Sequence, residues 1–84
     1  MKTIWVIGRV EVFPNGDMRS TTASAATDMQ KAYNLLDREI WFFIKERGYA
    51  VQDEMHGLAQ STVVLENATE LMRVILTCTK TALQ

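Results

Sequence analysis

The sequence predicts an α+β domain in the order β-β-α-β-β-α, with two helices packed on one face of a four-stranded, mostly antiparallel sheet. Residues 3–13 alternate with a period of two and are rich in β-branched side chains. Phe13-Pro14-Asn15-Gly16-Asp17 is a strong turn signal directly after them. An apolar stripe at helical spacing then runs toward Gly48.

In the first strand, Ile4, Val6, Gly8, Val10 and Val12 share one face, and Trp5, Ile7, Arg9, Glu11 and Phe13 share the other. Gly8 in its middle is a candidate bulge or bend. In the turn, Pro14 suits the first central position of a type I turn, Asn15 the second, and Gly16 the left-handed position that follows. A three-residue loop with a bulge places Phe13 opposite Asp17, Val12 opposite Met18 and Glu11 opposite Arg19. This register is preferred because a two-residue Asn-Gly turn would set Arg19 beside Val12. The second strand then covers about residues 17–23, with Glu11 and Arg19 as a cross-strand charge pair.

Thr27 with Gln30 three residues on forms a capping-box signature, with Ser24 as an earlier alternative. Gly48 ends the helix, and Lys45 and Arg47 suit its negative end. Met29, Ala32, Tyr33, Leu36, Ile40, Phe43 and Ile44 form its apolar stripe, leaving Leu35 and Phe42 on a different face and Trp41 off both. Residues 49–55 and 60–66 read as two weaker strands around His56-Gly57. The last segment, residues 68–83, satisfies two patterns. Asn67 with Glu70 is an N-cap signature, and a helical wheel separates its charged and apolar residues. Its Val, Ile and Thr content favours a strand with Met72, Val74, Leu76 and Cys78 on one face. The helix is taken here; the alternative is a fifth strand, giving β-β-α-β-β-β around one long helix.

The chain has 84 residues, so residues 1–84 form a single domain. Nine basic and ten acidic residues leave a formal charge of −1, which withholds the electrostatic footprint of a nucleic-acid binder. Trp5 with Arg9 and Arg19 resembles a stacking platform for single-stranded nucleic acid, but Glu11 lies in the same patch. One cysteine and one histidine preclude an intramolecular disulfide and a tetrahedral Cys/His metal site, so no metal or cofactor is expected. The sparse cysteine and the short apolar N-terminal run, interrupted at Arg9, point to a cytoplasmic protein with no membrane role.

Chemistry-bearing residues are few. Cys78 falls on an apolar arc, where a free thiol is usually structural, and His56 lies in a turn. Asp53, Glu54 and His56 read as an exposed polar turn, with Asp53 pointing away from the other two on a strand. The surplus of apolar side chains is more informative. With the helices over the valine face, Trp5, Ile7 and Phe13 lie on the open face beside Arg9, Glu11 and Arg19, and Leu35, Trp41 and Phe42 form a second patch. The expectation is a non-catalytic protein–protein interaction module, homo-oligomeric, that binds or occludes an unidentified protein partner. A small accessory or inhibitor protein of a mobile genetic element fits that description. The first alternative is an oligomer binding a small ligand between subunits, and the lesser one is a small enzyme using Cys78 or His56.

Overall fold

Among the described residues, a five-stranded antiparallel sheet in the order β2-β1-β5-β4-β3 carries one helix on one face. The computed structural model describes residues 2–83. Its elements are β1 (Lys2–Val12), β2 (Met18–Ala26), α1 (Met29–Arg47), β3 (Ala50–His56), β4 (Gln60–Asn67) and β5 (Met72–Leu83). The α+β class and the long first helix are as expected. The second helix is not: residues 72–83 form the central strand, the arrangement weighed as the alternative.

The first hairpin follows its turn chemistry. Phe13 N donates to Asp17 O at 2.8 Å and Gly16 N to Phe13 O at 2.9 Å, with Gly16 at φ 91°. Val12 pairs with Met18 and Glu11 with Arg19, the register expected from a three-residue loop. β2 extends to Ala26, beyond the expected end near residue 23, because its register shifts opposite Ile7 and Gly8. The inserted residue is Ala23, so the bulge near Gly8 belongs to the partner strand.

In α1 the N-cap is Asp28, one residue after the expected Thr27. Its carboxylate accepts from Gln30 N at 2.7 Å and Lys31 N at 3.3 Å. Gly48 closes the helix in the left-handed conformation at φ 71°, and Tyr49 N donates back to Phe43 O at 2.9 Å. Ala32, Leu36 and Phe43 are buried, flanked by half-buried Tyr33, Leu35, Ile40 and Ile44. Met29, assigned to the stripe by spacing, is exposed at the helix start.

The helix covers Trp5 and Ile7 of β1, Val63 and Leu65 of β4, and Val74, Leu76 and Cys78 of β5. This reverses the expected layers: the Trp5 and Ile7 side is the core side, and the side with Val6, Val10 and Val12 is open. The reason lies outside β1, whose valine side is uncharged beyond Lys2 while its Trp5 side carries larger apolar groups together with Arg9 and Glu11. Ile7 pairs with Cys78, and Arg9 with Leu76, so β5 adds large apolar groups to the Trp5 side. Gly8 pairs with Thr77 and Val6 with Thr79, so the valine side receives threonines. The helix packs where it buries more apolar surface.

The β4–β5 connection explains the ambiguous last segment. Asn67 Oδ1 accepts from Thr69 N at 3.0 Å and Glu70 N at 3.1 Å, which are the bonds of an N-cap. Leu71 then takes φ 56°, and the chain reverses into β5 instead of continuing as a helix. No helix among the described residues is long and apolar enough to cross a membrane.

Candidate interaction surface

The residues expected to form one open patch are dispersed. Trp5 and Ile7 are core residues, 6% and 0% exposed, and the Trp5 ring lies 6.1 Å from that of Tyr33. Arg9 is half-buried between sheet and helix, 3.4 Å from Glu11 and 3.6 Å from Glu39, with its guanidinium 6.0 Å from the Phe43 ring. Its Nε is buried and unaligned for a hydrogen bond, so the Glu11 contact is charge attraction alone. Glu11 therefore engages Arg9 along its own strand, and Arg19, its cross-strand neighbour, stays exposed. Phe13 is half-buried at the hairpin mouth.

The second patch is also divided. Leu35 packs against the core. Trp41 and Phe42 remain exposed at 55% and 45%. Lys45 Nζ sits 5.1 Å from the Trp41 ring, and Phe42 meets the edge of Phe43 at 5.4 Å.

The thiol and the imidazole are not assembled. Cys78 pairs with Ser61, and Ser61 pairs with His56, so the two lie two strand spacings apart, roughly 10 Å. Cys78 is fully buried, and burial pushes its thiol pKa up, the reverse of an activated nucleophile. Ser61 between them is also buried, and its hydroxyl lies 3.2 Å from the Tyr33 hydroxyl. His56 is exposed, with Glu54 at 3.6 Å. Among the described residues no group of three or more His, Cys, Asp or Glu side chains is placed to hold a metal ion.

What the fold leaves open is the other side of the sheet. Its middle row runs Ser20, Val10, Ile75, Val64 and Asp53 across all five strands. On one side of it lie Thr22, Gly8, Thr77, Thr62 and Met55; on the other lie Met18, Val12, Arg73, Glu66 and Ala50. The aliphatic groups at its centre are only half-buried, whereas their neighbours one residue along on β4 and β5 are fully buried beneath α1. Met18 and Met55, 67% and 69% exposed, stand on the two outer strands. Arg73 and Glu66 pair at 3.6 Å. Outward positions of a half-solvated antiparallel sheet are ordinarily polar. Here Val10, Ile75 and Val64 break that pattern at the centre.

None of these five residues, Val10, Val64, Ile75, Met18 and Met55, was singled out by sequence reasoning. The signal was present in β4, where Ser61, Val63, Leu65 and Asn67 alternate with Gln60, Thr62, Val64 and Glu66. Comparison with known proteins matches this chain to no protein family, no curated protein and no solved structure.

Proposed function

We propose that this protein is a non-catalytic interaction module that works as a homodimer, with the open face of the sheet packed against the same face of a second copy. The observation that carries this reading is the uncovered aliphatic row of Val10, Ile75 and Val64 on a sheet that α1 covers from the other side. A sheet face with such a centre is stabilised by a second layer, and two sheets packed face to face supply one. Five strands at about 4.8 Å spacing and five outward positions along β1 give a projected area of roughly 500 Å², before side-chain relief, approaching the ~800 Å² each partner contributes to a stable interface.

The composition of the face suits self-pairing. Its centre is uncharged, and Arg73 and Glu66 neutralise each other toward one end. A two-fold axis therefore brings apolar centre onto apolar centre without burying an unpaired charge there. Met18 and Met55 supply adaptable contacts at the margins. The exposed Trp41 and Phe42 stay on the outer surface of such a dimer, available to a different protein.

A sample mixed from isotopically labelled and unlabelled copies tests this. Intermolecular nuclear Overhauser effects are expected among the Val10, Val64 and Ile75 methyl groups. Their absence at millimolar protein, or intermolecular contacts confined to Trp41 and Phe42, overturns the reading.

A further inference from the structure

We propose that a recess beside the first half of α1 binds a small amphipathic anion, a carboxylate or phosphate monoester carried on a short apolar body. The recess has a volume of about 570 Å³, within the ~300–1,000 Å³ typical of small-molecule sites. Ile4, Ala25, Ala26 and Leu35 provide an apolar surface, and Lys31 and Arg38 provide two cations.

The sequence creates this space in a specific way. β2 ends in Ala25 and Ala26, whose side chains stop at Cβ, so volume remains between the strand end and the helix. Lys31 and Arg38 lie seven residues apart on α1, about 10.5 Å along its axis, and so project from the same side. Leu35 lies between them along the helix. An anionic head held by either cation, or between them, places an attached alkyl chain along Leu35 and the two alanines.

The electrostatics favour an anion. Among the described residues neither Lys31 nor Arg38 has a carboxylate within ion-pair distance, whereas Arg9 and Arg73 are both paired. Among the described residues, no acidic residue lines the recess. Asp28, three residues before Lys31, uses its carboxylate on the backbone amides of Gln30 and Lys31. Asp37 and Glu39 flank Arg38 along the chain, outside the recess lining, and Glu39 lies 3.6 Å from Arg9. The positive end of the helix dipole adds to the field at the Lys31 end. Both cations are exposed, so an incoming head group displaces only water from them.

The site is built within one chain, at the sheet edge; Ile4 and Ala25 lie on the same side of the sheet as Val6, at the end of the open face away from Arg73 and Glu66. An NMR titration of backbone amides with octanoate, octyl phosphate, acetate, inorganic phosphate and octanamide tests it. Octanoate or octyl phosphate is expected to shift amides of residues 25–38, and the two probes distinguish a carboxylate from a phosphate head. Acetate, inorganic phosphate and the neutral octanamide are expected to bind at least tenfold more weakly. The Lys31→Ala, Arg38→Ala double variant should weaken binding at least tenfold while keeping its circular dichroism, and Ala25→Leu should do so by filling the recess. The proposal is overturned if neither octyl anion shifts these amides, if octanamide or the bare anions bind equally well, or if the double variant binds like the parent.

Discussion

The side-chain amide of Asn67 donates to the carbonyl oxygen of Arg47 at 2.9 Å, fastening the end of α1 to the turn between β4 and β5. The same side chain accepts from Thr69 N and Glu70 N through Oδ1, so one buried residue closes a turn and anchors the helix. Asn67→Ala removes all three hydrogen bonds and leaves part of their partners desolvated. It should destabilise the fold by about 2 kcal/mol. Urea denaturation of the variant beside the parent checks this; an unchanged midpoint would show that the tie is dispensable.

The two faces of β1 should respond in opposite ways to truncation. Ile7 is fully buried beneath α1, so Ile7→Ala should cost about 2–5 kcal/mol, and Trp5→Ala about 3–5 kcal/mol. Val10 is half-buried on the open face, so Val10→Thr should stay within about 1 kcal/mol in dilute solution. Chemical denaturation of the three variants ranks them. A Val10→Thr variant less stable than Ile7→Ala would mean that the layers are assigned the wrong way round.

Stability should fall at alkaline pH. Burial pushes the Cys78 thiol above its ordinary 9.0. Burial also raises the Tyr49 phenol above 10.0, with Arg47 opposing and Glu70 and Glu11 reinforcing. Both groups hold their protons more tightly in the folded chain than in the unfolded one. Their contribution is therefore complete below the unfolded values and is lost as pH rises from those values through the folded ones. Urea midpoints measured from pH 7 to 11 should decline above pH 9 to 10, and Cys78→Ala should remove the earlier part of the decline. At neutral pH, Cys78 should resist a thiol reagent until the chain is unfolded, because it lies in the centre of the sheet beneath α1.

Gly8 should tolerate no side chain without adjustment across the ladder. A Cβ there would lie 2.8 Å from Thr77 Oγ1. Gly8→Ala should destabilise by about 1–3 kcal/mol, and adding Thr77→Ser, which keeps the hydroxyl but frees its rotamer, should recover part of that loss. Thermal melts of the single and double variants decide whether the two positions are coupled.

The parts of the fold legible in the sequence are those fixed by local chemistry. Pro14, Asn15 and Gly16 specify one turn, and that turn fixes the register from Val12 and Met18 outward. The stripe from Ala32 to Ile44 and the stop at Gly48 specify α1. Residues 72–83 were harder because Asn67 makes identical hydrogen bonds at a helix start and in a tight turn. What selects the strand is pairing with β1 on one side and β4 on the other, a long-range property that no local pattern contains. The open face was misplaced for a related reason. β1 carries large apolar groups on both sides and its only charges beyond Lys2 on the Trp5 side, and it is the threonines and large aliphatics contributed by β4 and β5 that decide which side the helix takes.

The solution mass of the parent and of an Ile75→Lys variant, measured by light scattering over one concentration series, tests the central claim most directly. Ile75 occupies the centre of the open face, so the account predicts a dimeric parent and a folded, monomeric variant. A parent that stays monomeric throughout the series, or a variant that remains dimeric, would contradict it.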